Sequence, residues 1–175
     1  MPLNGTSLFH TACAAVLALS LASCGKAAVS AQGADVCAML AHPDALFGAG
    51  AESTVGAAVD AFAGSCQWHS ADGRRGGDLV LYTTRSLGAV TPAAQVAHLA
   101  ENWDAMTETP LAPIAGLGDE AQIATNLPGY QTQIVFREGD KAVAVLAWSG
   151  DPALSGEALA RQMAQAAATS LAARP

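Results

Sequence analysis

The sequence predicts an α+β fold in which one curved antiparallel sheet of about five strands carries packed helices, within a single domain. The first observation is a glycine-rich turn, "ADGRRGGD", between strand patterns over 66–70 and 79–85. The second is the tight-turn signal "EGD" between the patterns over 131–137 and 141–149, which follow another over 121–125. Turns this short pair neighbouring strands antiparallel, because a parallel pair needs a long crossover connection.

Two short helices are predicted ahead of these strands. Asp35 is suited to cap a helix over "VCAML". Pro43 suits the first position of a second helix, and Gly48 suits its end. The stretch 48–64 remains open between helix, strand and loop, since its apolar residues fit either a weak helical stripe or a short strand over 57–62.

Two longer helices are predicted from apolar residues that recur at spacings of three and four, so that each helix turns one face to the core. Thr91 and Pro92 begin the first, and Ser155 caps the second. The two stripes are Val96, Leu99, Trp103 and Met106 in the first helix, and Leu159, Met163, Ala167 and Leu171 in the second.

Composition indicates a folded, acidic domain. The chain has 175 residues, of which 51% are hydrophobic and 13% charged, which supplies one domain with ample core material. Its net charge is −7, so it has no basic surface with which to hold a phosphate backbone. The sequence therefore argues against nucleic-acid binding.

The first hydrophobic segment predicts export and a lipid anchor. The apolar run over 11–22 is shorter than the roughly 20 residues of a membrane-spanning helix and fits a secretory signal. "LASC" at its end, finishing at Cys24, resembles the lipobox of bacterial lipoproteins. We thus expect a signal peptide over 1–23, a lipidated tether over 24–33 and the folded domain over 34–175. The alternative is an ordinary signal cut after "AAVSA". The residues before the run include no Lys or Arg, whereas signal peptides normally begin basic.

Lipid on Cys24 would determine where the protein works. Each buried methylene contributes about 0.8 kcal/mol, so two or three acyl chains hold a protein stably on a membrane. Gly25, rather than Asp, follows the cysteine. We expect attachment to the outer membrane facing the periplasm in a cell with two membranes, and to the outer face of the cell membrane otherwise.

Two cysteines, Cys37 and Cys66, remain in the predicted domain, and an even pair in an exported domain most simply forms a disulfide. With His42 and His69 they could instead supply the four N/S ligands of a zinc site. An oxidising compartment and a spacing unlike that of zinc fingers favour the disulfide. No metal or cofactor site is therefore expected.

The most suggestive polar site is "GLGDEA", which places Asp119 and Glu120 together at the entry to a strand. The two carboxylates could contact a cation or an arginine of a partner. The alternative is a turn whose glycines supply positive φ and whose acids bond to backbone amides. No G-x-S-x-G element is present, so no catalytic residue is predicted even though Ser70, His69 and Asp72 lie close in sequence.

Several strings together resemble small bacterial lipoproteins of uncharacterised families, best known from actinobacteria. They are "DVCAML", "CQW", "GLGDEA" and "IVFREGDKAVAV" with the alanine-rich helix that follows, and the resemblance covers most of 34–172. Similar exported domains serve as sensor modules of receptor kinases or have a fold like the photosystem accessory protein PsbP. The resemblance implies a disulfide between Cys37 and Cys66 and carries no established catalytic residues.

These observations predict a lipid-anchored cell-envelope protein that acts as a non-catalytic binding or accessory domain without a cofactor. Its partners would be the membrane, reached through Cys24, and an envelope protein or small ligand. One alternative is an envelope hydrolase with an unrecognised site, and another is a small-ligand or metal-binding sensor.

Overall fold

The computed structural model describes residues 36–56, 63–83, 97, 111–127 and 131–174. Within them the chain forms one open antiparallel sheet of seven strands together with two helices. The predicted α+β class, single antiparallel sheet and disulfide are confirmed. The predicted count of about five strands is wrong, because the sheet has one further strand at each edge.

The strands follow the order β1-β2-β3-β7-β6-β5-β4 across the sheet, and every neighbouring pair is antiparallel. The five predicted strand patterns correspond to β2, β3, β5, β6 and β7. The seven strands are β1 (Glu52–Gly56), β2 (Gly64–His69), β3 (Arg75–Thr83), β4 (Ala112–Ile114), β5 (Glu120–Leu127), β6 (Gln131–Glu138) and β7 (Lys141–Ser149).

The edge strands come from stretches that were not predicted as strands. Of the open stretch 48–64, residues 52–56 form β1, and 57–62 lie outside the described residues. Strand β4 lies in the proline-rich stretch "TPLAPIAG". In addition, β3 begins at Arg75, inside the predicted turn, because residues 71–74 suffice to reverse the chain.

The two helices are α1 (Pro43–Phe47) and α2 (Gly156–Ala172), and both begin where the sequence predicts. Pro43 lies in the first turn of α1, which ends at Gly48 with a φ of 89°. Ser155 Oγ accepts a hydrogen bond from the Ala158 amide (3.1 Å), which satisfies a free N–H at the start of α2. The predicted N-cap Asp35 lies outside the described residues, as does the predicted helix from Thr91 except for Ala97, which is helical.

The main core lies between α2 and one face of the sheet, which we call the helix face. All four residues of the predicted stripe on α2 are buried there, and the helix packs on β6 and β7. At the other end of this face Phe47 stacks on Trp68, with ring centroids 6.2 Å apart. The disulfide between Cys37 and Cys66 joins the helical turn at 36–37 to β2, with Cα atoms 5.1 Å apart.

Two adjacent glycines let side chains approach both faces of β3. A Cβ at Gly77 would overlap Met163 of α2 on the helix face. One at Gly76 would overlap the indole of Trp148 on the opposite face, which we call the second face. Only backbone therefore separates Met163 from Trp148 at this point.

The second face has an apolar part and a polar part. The apolar part contains the buried residues Val135, Ala142 and Ala144, with Val80 and Tyr82 partly buried beside them. Gln67, Asp78 and Gln133 belong to the polar part, since strand register places them on this same face.

Candidate functional site

The predicted lipid attachment site, Cys24, lies outside the described residues. Cys37 and Cys66 are joined to each other, so their sulfur atoms are engaged in the disulfide rather than in a zinc site. Within the described ranges, no group of three or more His, Cys, Asp or Glu side chains is arranged to hold a metal ion.

The side chain of Asp119 forms hydrogen bonds within its own chain. Its Oδ2 accepts hydrogen bonds from Arg137 Nη1 (2.7 Å) and from the Gly139 amide (2.9 Å). The Asp119 amide donates in turn to Arg137 O (2.8 Å). These bonds tie the loop before β5 to the β6–β7 turn, as the turn interpretation of "GLGDEA" expects. Glu120 is exposed, and a contact of this pair with a partner stays a prediction.

The residues considered for a catalytic triad do not meet in one group. Ser70 and Asp72 bond to each other in a turn, whereas His69 packs against Trp148. Ser70 Oγ donates to Asp72 Oδ1 (2.6 Å), and the Arg74 amide donates to the same oxygen (3.0 Å). These bonds shape the turn before β3, and the Ser70 bond is the largest cause of the lowered pKa of Asp72. His69 packs against Trp148, with ring centroids 5.4 Å apart and the rings tilted by 59°.

A cleft of about 790 Å³ opens where β7 ends and α2 begins, and we take it as the candidate binding site. Its size is within the roughly 300–1,000 Å³ of small-molecule sites. The first residues of β6, the last residue of β7 and the first turn of α2 form its walls. The polar lining residues are Thr125, Gln131, Thr132, Ser149, Asp151, Ser155 and Glu157.

The loop between β7 and α2 is held by several hydrogen bonds, so the cleft is formed before anything binds. The Asp151 amide donates to Ser149 Oγ (3.1 Å), and Asp151 Oδ1 accepts from the Ala153 amide (2.8 Å). The other oxygen, Oδ2, lies 3.6 Å from Arg75 Nε. Arg75 also donates from Nη1 to Leu46 O (2.6 Å), so one guanidinium links α1, β3 and the cleft loop.

The two carboxylates of the cleft are both compensated by arginines of the same chain. Asp151 pairs with Arg75, and Glu157 pairs with Arg161, whose Nη2 lies 2.9 Å from Glu157 Oε1. What the cleft offers a ligand is therefore chiefly hydroxyl and amide groups, including the buried Thr132. Such groups both donate and accept hydrogen bonds, which suits a polar ligand without a strong net charge.

No residue of this cleft was predicted as a site residue. Its lining comes from separate stretches of the chain that meet only because β6 and β7 are neighbours. The sequence does place polar Gln131 and Thr132 at the start of an otherwise apolar strand pattern. That was the available signal, but the same pattern is common at ordinary strand ends.

Comparison of the chain with protein-family models, with curated proteins and with solved structures gave no match. Among the described residues, neither helix combines the length and apolar character needed to cross a membrane. The resemblance to bacterial lipoproteins thus enters the functional argument as a proposal.

Proposed function

We propose that the protein is a lipid-anchored domain of the cell envelope that works by binding a polar envelope component in the cleft between β7 and α2. Cys24 is the proposed attachment point. The observation that carries the binding role is the cleft itself, whose loop is fixed by Arg75 and Asp151 and whose carboxylates are both compensated within the chain. A preformed site binds without first ordering its own loop.

The ligand class follows from the groups that remain available in the cleft. Gln131, Thr132 and Ser149 offer amide and hydroxyl groups, whereas the nearby charges are paired. A neutral molecule with its own hydroxyl or amide groups can exchange hydrogen bonds with these side chains. A strongly anionic ligand would instead be repelled by the carboxylates of Asp151 and Glu157, which keep their negative charge although each is paired with an arginine.

The anchor is tested by fractionation of the full chain. Cys24→Ser should move the protein from the membrane fraction to the soluble fraction, because the thiol that accepts lipid is gone. Cys13→Ser is the matched control, since it removes a cysteine from the predicted signal and should leave the protein on the membrane. If the Cys24→Ser protein remains on membranes after a high-salt wash, the anchor proposal fails.

The binding role is tested by purifying the full-length protein from its own membranes in parallel with a Gln131→Ala/Thr132→Val variant. Native mass spectrometry should find a bound component on the wild type that the variant lacks. Gln165→Ala, an exposed change on α2, is the control and should retain the component. An identical set of bound components on all three proteins would exclude the cleft as the binding site.

The alternative function, an envelope hydrolase, predicts a different result. The full-length protein would cleave envelope esters or glycans, and a single Ser, His or Asp substitution would abolish that activity. Such a result would overturn the non-catalytic proposal even if the cleft also binds a ligand.

A further inference from the structure

The starting observation is a buried hydroxyl group that the cleft between β7 and α2 reaches. Thr132 is 3% exposed and lines the cleft, so the small part of it that stays accessible faces the cleft. It shares the helix face with the core residue Ile134, two positions further along β6. Within the part of the chain that the structure describes, no hydrogen bond engages the Thr132 side chain. Its hydroxyl can therefore bond only to what enters the cleft.

A bulge in β5 lies directly beside this hydroxyl. The register of β5 against β6 shifts between Ala124 and Leu127, so residues 125 and 126 together oppose Thr132. A bulge changes the direction of a side chain, and bulges are frequent beside functional sites. Thr125, one of the two bulged residues, lines the cleft as well. The irregular point of the sheet thus forms part of the wall of the cleft.

Another wall of the cleft is the start of α2, which supplies backbone donors. Ser155 Oγ accepts from the Ala158 amide, and the first bond within the helix runs from the Leu159 amide to Ser155 O (2.9 Å). The amides of Gly156 and Glu157 come earlier, so they have no partner inside the helix. Both residues line the cleft. Because N–H groups at a helix start point away from the helix, they are available to a ligand there.

The acceptors of the cleft are, in contrast, mostly occupied. Asp151 Oδ1 accepts from a backbone amide, and its Oδ2 lies 3.6 Å from Arg75 Nε. Glu157 Oε1 accepts from Arg161 Nε (2.9 Å). Ser149 Oγ accepts from the Asp151 amide, which leaves its hydroxyl hydrogen free to donate. The cleft therefore has more available donors than acceptors, although its described lining residues include no Lys or Arg.

Donors without a cationic side chain suit a neutral acceptor, and the carbonyl oxygen of an amide is a strong one. We propose that the cleft binds a ligand with secondary amides, whose carbonyl oxygens accept hydrogen bonds from the Thr132 hydroxyl and from the first amides of α2. The acetamido group of an amino sugar and the peptide unit both have this chemistry. The inference rests on the proposed function, because it names the ligand class of the same cleft.

The test uses full-length protein labelled with ¹⁵N, in a detergent that contains neither sugar nor amide groups. The two amide probes are the disaccharide of N-acetylglucosamine and N-acetyl-alanine N-methylamide, which represent the two sources of the amide. Cellobiose is the matched control, since it has hydroxyls where the first probe has acetamido groups.

At least one amide probe should shift the amide signals of Gly156 and Glu157 saturably below about 10 mM, as expected for weak single-site binding. Cellobiose should bind at least about tenfold more weakly than that probe, because it lacks the carbonyl acceptors. The amide probe that binds more tightly identifies the source of the amide.

Variants of Thr132 test the side-chain donor. Thr132→Val keeps the branched side chain and removes only the hydroxyl, so it should weaken the binding of that probe by about tenfold. Thr132→Ser keeps the hydroxyl and is the control, so its affinity should stay within roughly threefold of the wild type.

Variants of Gly156 test the backbone donor. Gly156→Pro removes the N–H at the first position of α2, where proline is favoured. Ser155, with a φ of −67° and a ψ of 156°, already has the backbone that precedes a proline. Gly156→Pro should bind the probe roughly tenfold more weakly than Gly156→Ala, which adds a side chain but keeps the amide.

Three outcomes would overturn the amide ligand. They are the failure of both amide probes to bind, binding of cellobiose as tight as that of the better amide probe, and affinity that is unchanged in both Thr132→Val and Gly156→Pro. If native mass spectrometry still finds a bound component that the Gln131→Ala/Thr132→Val variant lacks, only the ligand class is wrong. If that component is missing as well, the proposed binding role fails with it.

Discussion

The pKa values of Asp78 and Asp72 are shifted in opposite directions by the surroundings of the two carboxyl groups. Burial on the second face raises the pKa of Asp78 above the ordinary carboxyl value of 3.8. Asp72, in the exposed turn before β3, has a lowered pKa because Ser70 Oγ and the Arg74 amide bond to its charged form. The folded protein therefore holds the Asp78 proton more tightly than the unfolded chain does, and the Asp72 proton less tightly.

The stability contributions of these two residues should consequently vary with pH in opposite senses. Ionisation of Asp78 costs stability as the pH rises above 3.8, so Asp78→Asn should raise the urea midpoint at pH 7 relative to wild type, with the gain disappearing in acid. Asp72→Asn should lower the midpoint modestly at pH 7, and that loss should disappear as the pH falls below 3.8. Urea unfolding from pH 3 to pH 7 measures both, and a gain for Asp78→Asn that grows in acid would contradict the sign.

At the scale of elements, the loop before β5 is held against the β6–β7 turn by backbone as well as by Asp119. Gly118 has a φ of 56°, and a Cβ there would overlap Arg137 O. Gly116, in the same loop, has a φ of 80° but no atom within 4 Å of a Cβ position. Both glycines thus have left-handed backbone, but only at Gly118 would a Cβ overlap another atom.

Alanine substitutions should separate these two effects. Gly116→Ala should lower the free energy of unfolding by about 1–2 kcal/mol, the cost of left-handed backbone at a residue with a Cβ. Gly118→Ala should cost more, about 3 kcal/mol, because the β6 carbonyl must also move. Urea unfolding gives both values. Equal losses of unfolding free energy would show that Arg137 O moves away from the added Cβ at no cost in stability.

The elements that the sequence predicts well are those with strong local signals. Pro43, Gly48 and Ser155 mark helix ends through backbone geometry and hydrogen bonds that need no distant partner. The strands of "IVFREGDKAVAV" combine apolar runs with a glycine turn and were predicted almost to the residue.

The two strands that were missed are both at an edge of the sheet. Strand β1 is mostly exposed and polar, and β4 is three residues long with Pro113 at its centre. Polar side chains, short length and proline all protect a sheet edge from pairing with another chain. The features that protect these edges are therefore the same ones that remove the strand pattern from the sequence.

At the scale of the molecule, the disulfide joins residues 29 positions apart and closes the segment that contains α1 and β1. A crosslink over a loop of this length stabilises a protein chiefly by restricting the unfolded chain, by about 3.5 kcal/mol. It also brings the helical turn at Cys37 onto β2, where Cys66 and Trp68 lie in the core.

Cys37→Ser/Cys66→Ser should accordingly lower the free energy of unfolding by about 3.5 kcal/mol. Urea unfolding with and without reductant measures this, because reduction should destabilise the wild type and leave the double variant unchanged. Intact mass should rise by two hydrogens when the wild type is reduced. An oxidised wild type no more stable than the double variant would contradict the expected contribution.

The candidate cleft could not be predicted because it depends on the order of strands. Thr132 and Ser155 meet in the cleft only because β6 lies beside β7, which leads into α2. Likewise, Asp78 and Gln133 flank Leu146 only because β7 inserts between β3 and β6. Hairpin signals identify β6 and β7 as partners, but no local pattern places β3 beside β7.

The position of the disulfide also determines how the molecule would carry mechanical load. Val36 immediately precedes the bonded Cys37. Tension applied through the preceding residues would therefore cross the sulfur atoms into β2, and residues 38–65 would carry none of it. Unravelling of α1 or β1 would add no length to the stretched chain while the bond is intact. A protein pulled from its N-terminal side would thus be held by a strand with neighbours on both sides, and reduction would transfer the pull to α1.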